Sequence, residues 1–139
     1  MAITQAMCTT FKEELFKAEH NFSSHTFKMA LYTSSASLSA ATTAFTTSGE
    51  VSGGSYSSGG VSLSNESVST SGTTAFIDCD DVSFTGSTFT ARGALIYNSS
   101  ASNKAVAVLD FGEDKSPSSQ TLTVTIPAAA ATTALIRIE

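Results

Sequence analysis

Residues 88–112, Thr-Phe-Thr-Ala-Arg-Gly-Ala-Leu-Ile-Tyr-Asn-Ser-Ser-Ala-Ser-Asn-Lys-Ala-Val-Ala-Val-Leu-Asp-Phe-Gly, narrow the choice of fold more than any other part of the chain. Two apolar runs, Ala94–Tyr97 and Ala105–Phe111, flank a polar turn, which is the pattern of a strand, a turn and a second strand. No catalytic side chain is placed to use that frame. Around it, 44 of the 139 residues are Ser or Thr. That composition builds β surface and does not by itself build an active site.

The length fits a single β domain over residues 1–139, with a core that needs neither disulfides nor metal. Hydrophobic residues make up 41% of the chain, so the sequence is not of the disordered kind, while charged residues make up only 14%. Replacing surface Lys and Glu by Ser and Thr gives flat, hydroxyl-rich faces, suited to protein contact or to short solvated strands. The net charge is -5 and the seven basic residues are scattered. Without a basic stripe the sequence argues against nucleic acid, and its acidity argues against anionic membranes. It shows neither a long apolar run nor a charged-then-apolar N-terminus, so the expectation is a chain that is neither membrane-spanning nor exported. On that expectation the sequons at Asn21, Asn65 and Asn98 carry no meaning. Cys8 and Cys79 then read as small buried hydrophobes.

Residues 4–19 carry Met7, Phe11 and Leu15 at four-residue spacing, with Cys8 and Ala18 alongside and Thr4 as N-cap, which predicts an N-terminal α-helix. Its apolar stripe can close one end of the core or dock on a partner. Phe27, Met29 and Leu31 alternate with Lys28, Ala30 and Tyr32, as in a half-buried strand. Residues 34–60 form a long Ser/Thr/Gly-rich excursion with sparse anchors at Leu38, Phe45, Val51 and Tyr56, and loops of that length tend to be functional or flexible. Further strands are expected at Val61–Ser69 (bulged near Asn65–Glu66), Thr74–Cys79, Val82–Phe84 with Thr88–Thr90, Leu122–Ile126 and Leu135–Ile138. One helix followed by many short strands predicts a mainly β fold, an antiparallel jelly-roll-like sandwich. The expected core is Phe27, Met29, Leu31, Leu95, Tyr97, Val106, Val108, Phe111, Leu122, Val124 and Ile126.

No candidate chemistry survives inspection, so no catalytic, cofactor or metal residues are assigned. His20 and His25 flank a turn with Cys8 upstream, but zinc sites use tighter paired spacing. Asp78, Asp80 and Asp81 surround Cys79 without the offsets of a calcium loop and read as solvated edge or turn acids. Gly53–Gly60 lacks the Lys-Ser/Thr ending of a phosphate loop, and Ser55 is not in a Gly-x-Ser-x-Gly elbow because position 57 is Ser. Arg92 either anchors a turn through backbone carbonyls or reaches an acidic patch on a neighbouring subunit. The residues alone say a non-enzymatic β protein.

Three blocks carry a resemblance: Met1-Ala-Ile-Thr-Gln-Ala-Met-Cys-Thr-Thr-Phe-Lys-Glu-Glu-Leu15, Leu31-Tyr-Thr-Ser-Ser-Ala-Ser-Leu38, and Phe89–Asn98 with its continuation Lys104–Gly112. Together they resemble small virion structural proteins of tailed bacteriophages, most like capsid cement (decoration) proteins. The resemblance implies a non-enzymatic module without cofactor, clamping major capsid subunits on the outer shell. It implies a virion location after assembly in the host cytoplasm, the major capsid protein as partner, and a homo-oligomer, with a dimer favoured. Other expectations are a tail, neck or connector component, or a host-carbohydrate-binding module, although the chain has no Trp and three Tyr for a sugar platform. A hydrolase is the remote enzyme alternative.

Overall fold

The computed structural model describes residues 2–127 and 134–138, and among these are ten strands and one helix. In chain order they are β1 (Ala6–Met7), α1 (Thr9–Phe16), β2 (Phe27–Tyr32), β3 (Val61–Ser62), β4 (Ser67–Ser71), β5 (Thr74–Asp78), β6 (Val82–Thr88), β7 (Ala91–Asn98), β8 (Lys104–Lys115), β9 (Ser118–Val124) and β10 (Ile136–Ile138). Every strand pairing is antiparallel. The strands form a five-stranded sheet in the order β1-β8-β7-β2-β3, a three-stranded sheet β10-β5-β4 and a pair β6-β9. The fold is therefore mainly β, sandwich-like and antiparallel, with one short N-terminal helix.

Strands β2, β7 and β8 run through the middle of the large sheet, and their register sorts side chains into two faces. Phe27, Met29 and Leu31 lie opposite Asn98, Ile96 and Ala94, while Lys28, Ala30 and Tyr32 lie opposite Tyr97, Leu95 and Gly93. Both sets are buried apart from Lys28. The half-buried strand expected at residues 27–32 is thus covered on both sides, as its near-continuous apolar run requires. On the first face Phe22 stacks on Phe27 with ring centroids 4.1 Å apart, and Phe11 of α1 meets Phe22 edge-on at 6.1 Å. The three-stranded sheet approaches the same face, where Met7, Ala107 and Leu109 share a groove with Leu135 and Ile136. On the second face Phe45 stacks on Tyr97 at 4.8 Å, and the Ile3 side chain lies over Gly93.

The N-terminal segment departs from expectation. Residues 4–19 do not make one helix: Ala6 and Met7 extend the large sheet by pairing with Val108 and Ala107, and the Cys8 N–H donates to the Val106 carbonyl at 2.9 Å. The open edge of β8 offers backbone partners to these residues, so helix begins only at Thr9. Cys8, not Thr4, is the N-cap residue, and its side chain makes no capping bond. Ala18 then enters the left-handed region (φ 60°) and ends the helix one turn early.

A second correction concerns residues 61–69. They are not one bulged strand but two strands in different sheets, β3 beside β2 and β4 beside β5. Asn65, at φ 56°, makes the switch, a conformation Asn tolerates better than most residues. The remaining strands fall where alternation placed them, with ends moved by a few residues.

Of the expected core, all but Phe111 and Leu122 are buried; those two are half-buried against it. Alternation alone also missed Ala30, Tyr32, Ala94 and Ile96, which are buried because the opposite face is covered too. The two classes predict different energetics. Leu95→Ala, at a fully buried position, should cost about 2–5 kcal/mol in chemical denaturation, and Leu122→Ala clearly less. Equal losses at the two positions would contradict the assignment of faces.

Candidate binding surface

The excursion over residues 34–60 contains no named helix or strand, yet it is fastened to the large sheet along its length. Backbone bonds run from the Thr33 N–H to the Gly49 carbonyl and from the Val51 N–H to the Leu31 carbonyl, at 2.9 and 3.0 Å. Isolated bridges join Ile3 to Leu38, Tyr32 to Glu50 and Ala44 to Lys104. The three tyrosines then bind the excursion from the sheet side or within it. Tyr32 donates to the Thr46 carbonyl at 2.6 Å and Tyr97 to the Gly59 carbonyl at 2.7 Å. Tyr56 accepts from the Leu31 N–H at 3.0 Å.

Glu50 is the centre of this arrangement. One carboxylate oxygen accepts from the Tyr56 hydroxyl and the Gly59 N–H, both at 2.7 Å, and the other accepts from Ser58 Oγ at 2.8 Å. A carboxylate satisfied by three donors holds them more firmly than a neutral acceptor would. It fixes the Gly53–Gly60 turn, where the backbone passes so close to neighbouring strands that side chains are excluded. A Cβ on Gly60 would stand 1.8 Å from the Met29 carbonyl oxygen, and one on Gly54 would stand 1.8 Å from that of Thr88. Gly54 and Gly60, which the sequence does not place in a phosphate loop, are therefore packing residues.

Glu50 is the one charged residue in these 27 positions, and its charge is used internally. What the excursion turns outward is Ser34, Ser35, Ser37, Thr43, Thr46, Thr47, Ser48, Ser52, Ser55, Ser57 and Ser58 together with small Ala and Gly residues. Where it meets β6, Ser55, Tyr56, Ser83, Phe84, Ser87 and Phe89 line a cleft of about 180 Å³. The Ser55 hydroxyl there already donates toward the Thr85 and Gly86 carbonyls, and Ser87 toward that of Phe84. The cleft is small, and these hydroxyls are engaged within the protein.

The histidines weighed in the sequence come together, but around an asparagine. Asn98, fully buried at the end of β7, places its Nδ2 3.0 Å from His20 Nδ1 and 2.9 Å from His25 Nδ1. Two backbone donors fix the orientation of this amide: the Ser100 N–H bonds to Oδ1, and the Asn21 N–H bonds to His25 Nδ1. Nδ2 therefore gives a hydrogen to each ring, and His20 must carry its proton on Nε2, 2.8 Å from Glu14 Oε1. His20, beside the turn as its place in the sequence implies, is buried there and pins the turn after α1 to the sheet. Of the acids near Cys79, Asp80 accepts from Asn65 and Asp81 from the Ile126 N–H. Arg92 faces Asp110 on β8 at 3.3 Å rather than turn carbonyls. The Gly112 N–H and then Arg92 hold the Asp110 carboxyl below its ordinary range. Among the described residues no three His, Cys, Asp or Glu side chains are grouped to hold a metal ion. Cys8 and Cys79 are buried free thiols, pushed up to about 11 and about 12, first by burial and then by Glu14 and Asp78 respectively.

Sequence reasoning passed over Glu50 and Asn98. Both left a signal: a lone acid in an uncharged stretch, and an Asn closing an apolar strand where Asn is disfavoured.

Two measurements check this arrangement. Glu50→Ala should leave the sheet intact but raise hydrogen exchange at the Gly59 amide by at least about tenfold; unchanged exchange there would remove Glu50 from its central role. Burial, first among the causes, raises the pKa of Tyr32, Tyr56 and Tyr97 above the ordinary phenol value. The neutral phenols thus lend stability that is complete below the unfolded value of about 10 and is lost as pH climbs above it. Tyrosinate absorbance should therefore rise together with loss of tertiary circular dichroism, whereas an independent early ionisation step would contradict the buried arrangement.

No family model, curated protein or solved structure matches this chain.

Proposed function

We propose that this chain is a non-enzymatic virion structural protein that acts as capsid cement, binding the outer shell across major capsid subunits. The observation that carries the reading is the excursion: 27 residues, folded onto the sheet, whose one charge is consumed internally. Its outward side chains are Ser, Thr, Ala and Gly, which lose little rotamer freedom on contact. A pre-ordered surface of this kind also avoids the cost of folding on its partner. Loops of this length are often flexible, but the bonds that Tyr32 and Tyr97 make to the excursion and those Glu50 makes within it favour a rigid shelf. The resemblance of the three sequence blocks to phage virion proteins supplies the identity of the partner. Jelly-roll connectivity is the finer part of the same reading.

A shelf without charge gains little from electrostatic attraction, so each contact is weak and many copies on a symmetric lattice supply the affinity. The test is a particle that lacks the protein. Such particles should keep normal shape but release DNA at lower temperature or under milder chelation, and adding back the purified chain should restore them. Heads of unchanged stability with defective tails would sink the cement role and promote a tail, neck or connector role.

A further inference from the structure

We propose that β4 is a homodimerisation edge, pairing antiparallel with β4 of a second copy about Ser69. The observation is a contrast among the free strand edges of the described residues. Unpaired edges are templates for another chain unless shortness, charge, proline or a bulge blunts them. β1 and β3 are two residues long; β10 is three long and carries Arg137. β6 is broken by register shifts near Gly86, and β9 by Ser119 at φ 51°. β4 has none of these devices: Ser67-Val-Ser-Thr-Ser71 is regular, uncharged and exposed at all five positions.

The edge is also self-complementary. Read in either direction the segment is Ser, a β-branched residue, Ser, a β-branched residue, Ser, so antiparallel pairing about Ser69 sets Val68 against the nearly isosteric Thr70 of the other copy. The two-residue turn at Gly72–Thr73 makes Ser71 and Thr74 a hydrogen-bonded pair. Alternation then aims the backbone groups of Ser67 and Ser69 at β5 and those of Val68 and Thr70 outward. The outward groups of Val68 in one copy meet those of Thr70 in the other.

Side chains agree with the backbone. Register places Ile136, Ile77 and Val68 in one cross-strand row, and Ile138, Ala75 and Thr70 in the next, on the same face. Val68 is 55% exposed and Ile138 54%, so the face is left unfinished in a single copy. A two-fold axis at Ser69 joins each row to the other row of the second copy, giving an unbroken line from Ile136 through Val68 and Thr70 to Ile138. Charge selects the same geometry. Glu66, Asp78 and Asp80 lie at one end of β4, and the antiparallel arrangement sets that end against the uncharged Ser71–Thr73 turn, where a parallel one would bring acids together.

Five-residue strands make a small interface, so association in solution is weak and strengthens with concentration. The inference does not depend on the capsid role and is read in purified full-length protein. At Ser69 the two copies face each other as a non-hydrogen-bonded pair with Cα atoms about 4.5 Å apart, inside the disulfide range. Ser69→Cys should therefore oxidise to a covalent dimer, while Ser48→Cys, exposed on the excursion, should not. Sedimentation should show a reversible dimer weakened at least about tenfold by Val68→Lys, which puts a charge opposite Thr70 of the other copy and makes the two introduced lysines diagonal neighbours across the axis. Thr70→Pro removes an outward N–H and should act likewise, as proline is tolerated on an edge facing solvent. A chain monomeric at every concentration, a dimer indifferent to Val68→Lys, or equal cross-linking at positions 69 and 48 would each overturn the proposal. Loss of the dimer with capsid binding retained would leave the cement reading standing.

Discussion

β7 carries Ala94, Leu95, Ile96 and Tyr97 in succession, all buried, and this run obliges the chain to supply a cover for each face of its central sheet. A chain with more helix would lay helices on both sides. Here the one helix has eight residues and buries Phe11 alone. It can shield the region of Phe22 and Phe27, and the smaller sheets take the rest of that face. The other face falls to a segment with few apolar side chains, which a set of polar bonds holds down.

That demand accounts for the placing of tyrosine and glutamate. A Ser/Thr/Gly stretch cannot bury enough apolar area to offset the entropy of ordering it, so directed bonds must add to the few contacts of Leu38, Phe45 and Val51. Tyr32 and Tyr97 project from the sheet and combine a large buried ring with a hydroxyl that reaches the excursion backbone. Glu50 contributes from the excursion itself, and being partly buried it works in a medium where an ionic acceptor is stronger than in water. Asn98 performs the matching task on the opposite face, where one amide gathers two histidines and the Ser100 N–H.

These pairings explain which parts of the fold were legible in the sequence. The strands around Leu31, Leu95 and Val106 announced themselves because apolar runs between turn residues are a local signal. Their two-sided burial did not, since covering depends on residues 34–60, which have no periodicity to read. Met7, Phe11 and Leu15 suggested a long helix because four-residue spacing is the same whether or not the first member lies in a strand. Only the open edge of β8 decides that Met7 pairs with Ala107. A change of sheet at Asn65 and a bulge leave the same break in alternation, so β3 and β4 read as one strand. The excursion was visible as composition and invisible as structure, because its anchors bond backbone groups that every residue possesses.

Charge is distributed to the same end. Lys104 pairs with Glu19 and Arg92 with Asp110, while Asp81 and Glu50 accept backbone N–H groups. With these charges engaged, the outward face of the excursion is made of hydroxyls, each both donor and acceptor. Such a surface has little power to select a partner by sign and must select by shape, which needs a rigid backbone beneath it. Glu50, at the centre of the excursion, and the glycines packed against β2 and β6 provide that rigidity. A shape-selective surface of modest strength is effective where partners already stand in a fixed array, since repetition then supplies what a single contact lacks. The low charge and the rigid excursion therefore belong together, and both suit the repeated cement role proposed above.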